Sequence, residues 1–494
     1  MIFRPEAFLA LAFAALALAG CAVDAGEEAA AGLAAPDPAV RRLLTEADAA
    51  MAAGALADAG AELDEARARA PESPDLWLAI ARLRLRGGEH LTAIAAADRA
   101  LAIAPGHAPA LLLRALTVRD AHGAAEARVW FEAARKADPD NPDILAEYAA
   151  TLGDSGEGGA MLAMVRNLAA AAPGDPRAAY LQAVLAARGG QFTIARSLLS
   201  RSGMAARGVP AALLLDAVIS LEEGNADSAA ATLEGLAARQ PANARVRELL
   251  ARALLVGGRE AEVIARFGAE AEGAEASPYL VMLVARAHER LGDRSAAAPL
   301  LARAYGGAMQ APVILAAREG LPRPTAAMRR VLAGGSASAA RDQALALREG
   351  FPASADLAVL AGDALLGAGD PRAALADYAR ASRYRRPWPL TRKLVWSFER
   401  AGEAAAADHL LARHADGDRS NADAFVALAE RRAARGDWKR TALLLDHAAV
   451  LGAGHDPGLL ALRLRAAREA KASADEQRLA ARLAELRPVP FAPR

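Results

Sequence analysis

Apolar and small residues recur along this chain with a period of 34 residues. Prolines mark the period at Pro71, Pro105, Pro139 and Pro173, and Pro241 is in phase two periods later. Three kinds of residue recur at fixed distances before these prolines: a small residue 24 positions earlier (Ala47, Ala81, Ala115, Ala149, Ala217), a glycine 17 earlier (Gly54, Gly88, Gly156, Gly224) and usually an alanine 12 earlier (Ala59, Ala93, Ala127, Ala229). Because glycine and proline interrupt helices, each period predicts a helix, a glycine turn, a second helix and a proline turn.

A single helix pair of this kind cannot bury both of its faces, so neighbouring pairs must stack. We therefore predict an all-α fold, an α-solenoid of about 13 helix pairs. Eight repeats occupy residues 40–311 in phase, about five occupy 325–487, and residues 488–494 form a tail. Between them the phase slips at 312–324, where Pro322 and Pro324 forbid a continuous helix. This break is interpreted either as a hinge or as an insertion without mechanical consequence.

The best copy of the repeat is residues 74–107, where Trp77, Ile80 and Ala81 form the first block and Pro105 ends the unit. Residues 355–388 supply a second good copy, with Gly362, Leu365, Gly369, Ala374, Tyr378 and Ala381. This pattern resembles the tetratricopeptide repeat family. The resemblance implies a right-handed superhelix whose first helices line a concave groove for peptides or extended protein segments.

The N-terminus has the pattern of a secretory signal. Arg4 precedes an apolar stretch that is too short to span a bilayer as a helix, and small residues follow it. The ending Leu18-Ala19-Gly20-Cys21 resembles the lipobox of bacterial lipoproteins. That resemblance implies a signal peptide at 1–20, lipidation of Cys21 and a flexible tether at 21–39. The alternative is an ordinary signal peptide that happens to contain a cysteine.

In such lipoproteins an aspartate after the lipidated cysteine favours the inner membrane, and this chain has Ala22 there. The resemblance therefore implies the periplasmic face of the outer membrane of a Gram-negative bacterium. Cys21 is the only cysteine, so disulfides and zinc–cysteine sites are excluded.

The charge balance adds a second constraint. The formal net charge is zero and the pI is about 7.1, so nothing favours nucleic acid as a partner. However, residues 1–320 carry a net charge of −8 and residues 321–494 carry +8. Two surfaces of opposite charge can bind different partners at different positions along the solenoid. Alternatively, the difference in net charge between the two segments is compositional drift.

Catalytic motifs are missing from the sequence. None of the four lysines follows a glycine, so there is no phosphate-binding loop, and no H-E-x-x-H pair exists. His409 and His414 do not share a helix face, and the carboxylates of Asp408 and Asp446 are expected on a solvated surface. We predict a protein that is not an enzyme and needs neither cofactor nor metal.

Candidate binding residues follow from the repeat phase. Arg392, Trp396 and Arg400 fall at four-residue steps on one first helix, and Arg252 and Arg286 occupy an equivalent slot on neighbouring repeats. By the resemblance, these five residues lie on the concave side, where arginine can bind a carboxylate and an indole can stack. Alternatively, Trp396 packs between helices and the arginines are solvated.

Two functions of different classes fit these features. The first is a lipid-anchored scaffold that binds proteins of a cell-envelope assembly or secretion system, with exopolysaccharide export favoured by resemblance. The second is a direct binder of anionic polysaccharide or peptidoglycan through a basic, aromatic groove. The acid-free stretch between Asp377 and Glu399 bears on this choice, because it interleaves arginines with Tyr378, Tyr384 and Trp388.

Overall fold

A computed structural model of the chain describes residues 37–241, 243–273, 276–304, 331, 336–454 and 456–486. Within these ranges the chain forms 25 α-helices and no β-strand. Consecutive helices pack as pairs, which confirms the predicted all-α solenoid. The signal peptide, Cys21, most of the tether, the phase break at 312–324 and the tail at 488–494 lie outside the described residues.

The helices before the phase break form eight successive pairs. They are α1 (Pro38–Ala53), α2 (Leu56–Arg69), α3 (Pro74–Arg86), α4 (His90–Ile103), α5 (Ala108–His122), α6 (Ala124–Ala137), α7 (Pro142–Asp154), α8 (Gly158–Ala171), α9 (Pro176–Arg188), α10 (Phe192–Ser202), α11 (Pro210–Glu222), α12 (Ala226–Arg239), α13 (Ala244–Val256), α14 (Glu260–Glu272), α15 (Pro278–Arg290) and α16 (Arg294–Ala304). The odd-numbered helix is the first of each pair.

After the break, α17 (Ala337–Gly350) precedes four further pairs. These are α18 (Ala355–Gly367) with α19 (Pro371–Ser382), α20 (Trp388–Arg400) with α21 (Ala404–Gly417), α22 (Ala422–Ala433) with α23 (Trp438–Ala448), and α24 (Pro457–Glu469) with α25 (Ser473–Leu486). A π-helical turn, Ala449–Ala453, extends α23. None of the helices in the described ranges combines the length and the apolar character that crossing a bilayer requires.

The chain divides into two compact units, one up to Arg114 and the other from Ala115 onward, with the division inside α5. The core of the first unit is built from α1 to α4 around residues such as Leu43, Leu63 and Leu76. The second unit contains a succession of cores, the largest of them between α11 and α16.

Capping residues and prolines set where the first helices begin. Eight helices start with proline: seven of them are the first helix of a pair, and α19 is a second helix. The missing N–H of proline costs nothing at the first helical position. Asn141 and Asp175, for example, precede Pro142 and Pro176 and accept hydrogen bonds from the free backbone N–H groups of the first turn. Pro74, Pro142 and Pro176 each lie three residues after an in-phase proline, which occupies the preceding turn.

The recurring small residues lie where helices come closest. All five predicted small residues, of which Ala81 and Ala149 are examples, have no exposed surface. The alanines of the second helices, such as Ala59 and Ala127, are equally buried. Because an alanine side chain ends at Cβ, two backbones can approach, while large side chains such as Phe131 fill the remaining space.

The turn between the two helices of a pair has a residue with a positive backbone φ angle, which favours glycine. The four predicted glycines have φ between 79° and 83° or, for Gly88, 77°. The same turn recurs with glycine in later pairs, but the last pair has Lys471 there, at φ 54°. A side chain makes this left-handed conformation unfavourable.

Arginines at the end of first helices link consecutive repeats. Arg188 donates to the carbonyl of Gly153 at 2.5 Å, and Arg290 donates to that of Leu255 at 2.6 Å. Arg86 makes the equivalent bond to Met51. Each of these carbonyls lies in the last turn of the preceding first helix and also accepts a hydrogen bond from the backbone N–H of the glycine turn that follows.

Two contacts in the second unit join helices that are far apart in sequence. The turn between α5 and α6 meets the end of α21, where Gly123 and Gly417 touch through their backbones. Arg413 of α21 forms an ion pair of 3.2 Å with Glu126 of α6. The start of α24 meets that of α15, and a Cβ placed on Gly458 would lie 3.7 Å from the ring of Pro278.

The left-handed turn predicts an effect of substitution at Lys471, whose side chain is exposed. Lys471→Gly should stabilise the last pair by about 0.5–1 kcal/mol, because the conformational strain exceeds the entropy cost of glycine. Slower amide hydrogen exchange in α24 and α25 would show it. Lys136→Gly, in the regular helix α6, is the matched control and should accelerate local exchange. Faster exchange in both variants would contradict the interpretation.

Candidate binding site

Polar and charged side chains of four first helices of the second unit, with the N-cap residue of a fifth, each lie within electrostatic range of at least one other member of the group. We call them the first-helix charge cluster, which comprises Arg245, Glu248, Arg252, Tyr279, Arg392, Asp423, Glu430 and Asp456. They belong to α13, α15, α20 and α22, and Asp456 is the N-cap of α24. The cluster therefore draws on helices from both sides of the phase break.

The repeat geometry explains why these residues share a face. They occupy equivalent helix positions: the second (Arg245, Tyr279, Asp423), the fifth (Glu248, Arg392) and the ninth (Arg252, Glu430). Steps of three and four residues keep side chains on one side of a helix. The contact between α15 and α24 brings the helices from the two sides of the break together.

Burial makes the charged state of the carboxyl groups unfavourable. It raises the pKa of Asp423, and the nearby Arg392 and Arg245 oppose the rise. The pKa of Glu430 rises to about 7 because of burial and the neighbouring Asp456 carboxylate, while Arg392 opposes it. This site therefore contains a carboxyl group that titrates close to neutral pH.

Two further acids of the cluster are tied to the backbone or to a hydroxyl group. Asp456 accepts hydrogen bonds from Gly458 N at 2.7 Å and Leu459 N at 3.2 Å, which caps α24. Glu248 accepts a hydrogen bond from the Ser277 hydroxyl. Burial nevertheless raises the pKa of both carboxyl groups.

The other acids have no direct partner. In the part of the chain that the structure describes, the side chains of Asp423 and Glu430 form neither a hydrogen bond nor an ion pair, and neither does the guanidinium of Arg245. Asp423 is accessible to water, although protein surrounds it on most sides. Unpaired groups of both signs are therefore available to a ligand at one place.

The structure places the five residues proposed from the sequence in different surroundings. Arg392 and Arg252 lie in the first-helix charge cluster, where Arg252 also pairs with Glu222 at 3.1 Å. Arg286 occupies the slot equivalent to that of Arg252, but it faces Glu289 of its own helix at 3.5 Å. Only part of the proposed set is therefore brought together.

Trp396 and Arg400 lie on α20, about one and two helical turns after Arg392. Trp396 is half-buried and packs against the core formed by α18, α19 and α20. The guanidinium of Arg400 lies over its ring, 5.1 Å from the centroid. The position of Trp396 matches the alternative in which this indole packs between helices.

Other aromatic and acidic residues differ from their expected surroundings. Tyr378 is fully buried and donates to Asp363 at 2.7 Å, so it is not part of a basic, aromatic surface. The expectation that Asp408 is solvated is wrong, because Arg431 and Arg435 of α22 and its following turn bind its carboxylate. His414 is also buried and hydrogen-bonded to Thr391 at 2.9 Å.

Sequence reasoning missed the acidic half of the cluster. Asp423 and Glu430 occupy the same helix positions as other cluster members, so following the second and ninth slots through every repeat would have singled them out. In the described ranges, no three His, Cys, Asp or Glu side chains are arranged to hold a metal ion.

Comparisons with known proteins give structural similarity only. No family model and no curated protein matches the chain. PilW, a type IV pilus biogenesis factor, is 23% identical over 40% of this chain and 94% of that chain, with a TM-score of 0.35. Pseudomonas aeruginosa pilF is 18% identical over 48% and 94%, with a TM-score of 0.31. Human IFIT1 is 16% identical over 69% and 80%, with a TM-score of 0.40.

The raised pKa of Glu430 predicts a pH dependence of stability. The folded chain keeps this proton up to about pH 7, whereas the unfolded carboxyl loses it near 4.5. The folded state binds the extra proton in this interval, so the group's contribution lowers the free energy of unfolding as pH rises from 4.5 to 7. Glu430→Gln should therefore be more stable than the wild type above pH 7 by about 1–3 kcal/mol.

Urea unfolding at pH 4 and at pH 8 would measure this effect. The difference between the Glu430→Gln variant and the wild type should disappear at the lower pH. Glu469→Gln, on the exposed face of α24, is the control and should follow the wild type at both values. A difference that does not change with pH would rule out the titration of Glu430 as its source.

Proposed function

We propose that the chain is a lipid-anchored scaffold on the periplasmic face of the outer membrane. Its helical repeats bind protein partners of a cell-envelope assembly or secretion system, and exopolysaccharide export is the system we favour. The observation that carries the binding function is the first-helix charge cluster, with its unpaired groups of both signs. The resemblance of Leu18-Ala19-Gly20-Cys21 to a lipobox supports the location.

The chemistry of the cluster favours a polypeptide ligand. Asp423 and Glu430 can accept hydrogen bonds from backbone N–H groups or basic side chains, and Arg245 can bind a carboxylate. An extended protein segment carries all of these groups along its length. Binding would also compensate the partial desolvation of these two carboxyl groups, which surrounding protein imposes.

An anionic polysaccharide fits this cluster less well. Arg392, Trp396 and Arg400 would supply positive charge and a stacking surface to a sugar polymer. However, Asp423 and Glu430 lie within electrostatic range of Arg392 and would repel a polyanion. The protein scaffold is therefore the preferred function, and it requires neither a catalytic residue nor a cofactor.

The anchor predicts lipid labelling at one residue. Cells supplied with labelled palmitate should label the wild-type protein, and Cys21→Ser should remove the label because no other cysteine is present. The unlabelled protein should also leave the outer-membrane fraction, because it loses the acyl chains that bind the bilayer at about 0.8 kcal/mol per methylene group. Equal labelling of both proteins would contradict the proposal.

The cluster predicts loss of partner capture after a double substitution. The full-length protein, purified in detergent, would be immobilised and exposed to solubilised envelope, and each captured protein would then be purified and titrated. Arg245→Gln with Asp423→Asn should weaken this binding at least about tenfold, because hydrogen bonds to charged groups contribute about 1.5–3 kcal/mol each.

Arg67→Gln with Asp64→Asn makes the same chemical changes at an exposed ion pair of the first unit. This matched control should bind like the wild type. Equal binding by the cluster variant would remove the site from the proposal. Competition by purified exopolysaccharide, with no protein captured, would favour the polysaccharide function instead.

A further inference from the structure

Arg386 lies at the contact between the turn joining α5 and α6 and the start of α20. Its backbone N–H donates to the carbonyl of Asp120 at 2.7 Å, which holds the residue against the end of α5. The Nε atom of its side chain is buried and has no hydrogen-bond partner in the described chain. The residue is thus held by its backbone, while one guanidinium nitrogen, Nε, is buried without a hydrogen-bond partner.

The charges around Arg386 are predominantly positive. Its guanidinium forms no ion pair with any carboxylate of the described residues. Burial lowers the pKa of Arg386, the charge of Arg413 lowers it further, and only Glu126 opposes this. Glu126 is already engaged, since it forms the ion pair with Arg413 at 3.2 Å. Two arginines therefore face a single carboxylate.

Three other acids, at the ends of α5 and α21, already have partners. Asp120 pairs with Arg119 at 3.1 Å, and Asp416 pairs with Arg419 at 3.0 Å. Asp418, at the end of α21, accepts hydrogen bonds from Ser420 and Asn421.

The neighbouring histidine does not alter this balance. Burial lowers the pKa of His414 to about 4, so its ring is neutral at pH 7. Thr391 and Asn421 contact its two ring nitrogens. A net positive charge is therefore left at Arg386 and Arg413.

The backbone at this contact leaves little freedom for another arrangement. A Cβ placed on Gly417 would lie 2.5 Å from the carbonyl oxygen of His122, so the two chain segments meet without side chains between them. The backbone hydrogen bond of Arg386 to Asp120 and the close approach of Gly417 to His122 therefore hold the segments that carry Arg386 and Arg413 together. An arrangement that brings like charges together is stabilised by an anion that binds both.

We propose that Arg386 and Arg413 form an oxyanion site, which takes a carboxylate or phosphate group at the contact of the α5–α6 turn with α20 and α21. A bound oxyanion accepts hydrogen bonds from both guanidinium groups and so links two parts of the second unit that are far apart in sequence. The site is distinct from the first-helix charge cluster and does not depend on the function proposed for it.

Thermal unfolding of the full-length protein in detergent, followed by circular dichroism at pH 7.5, tests the site. The probes are inorganic phosphate and a capped triglutamate peptide, each compared with sodium chloride at equal ionic strength. Saturating phosphate should raise the wild-type Tm by about 1–3 °C beyond the chloride control. Arg386→Gln should remove this shift, with phosphate affinity reduced at least about tenfold.

Two further variants decide the outcome. Arg385→Gln is the matched control, because the guanidinium of Arg385 pairs with Asp356 at 2.6 Å and its loss should leave the phosphate shift intact. Glu126→Gln removes the competing carboxylate, so half-saturation should occur at a phosphate concentration about tenfold lower. The comparison of Glu126→Gln with the wild type is sufficient if Arg386→Gln does not fold.

Several results would overturn the site. These are no response of the wild type to either probe, an equal shift in Arg386→Gln, or weaker phosphate binding by Glu126→Gln. The two probes also distinguish the sources of the ligand. Tighter binding of phosphate indicates a free oxyanion, and tighter binding of triglutamate indicates a carboxylate side chain from a partner protein.

Discussion

A helix pair of about 30 residues has too little interior to bury its own apolar surface, so every pair in this chain depends on its neighbours. The fully buried alanines on both helices of the repeat meet this constraint by letting backbones approach closely, as Ala81 and Ala127 do. Their spacing must then stay constant, because a shift by one residue would turn the small side chain away from the contact. The glycine turns, and the arginines that donate to carbonyls of the preceding repeat, stabilise the same alignment of neighbouring helices.

The contacts between distant parts of the second unit are of a different kind. They include glycine backbones, a backbone hydrogen bond, the exposed ion pair of Arg413 with Glu126 and the approach of Gly458 to Pro278. An exposed ion pair contributes about 0–1 kcal/mol, whereas burial of one leucine in a repeat contributes about 1.5–3 kcal/mol. Packing between neighbours therefore dominates the stability of this unit, and the distant contacts are weak enough for a ligand to influence them.

The first-helix charge cluster is costly for the folded chain alone. Burial raises the pKa of Asp423, Glu430 and Asp456, which means that the folded state disfavours their charged forms. Pairing each acid with an arginine would lower this cost, as Asp408 shows with Arg431 and Arg435. The unpaired acids of the cluster are instead positioned where a partner can supply the missing donors, which connects the energetics of the repeat to the proposed binding function.

The sequence by itself determined the helix pairs, their period and the residues at the close contacts, because each of these depends on residues within one or two repeats. It also led to Arg252 and Arg392, which share the face of the cluster. The tertiary structure alone decided that Asp423 and Arg245 lie near each other and that Arg386 faces Arg413. Such meetings depend on the rotation and translation accumulated over many repeats, and a small change in each repeat would bring different residues together.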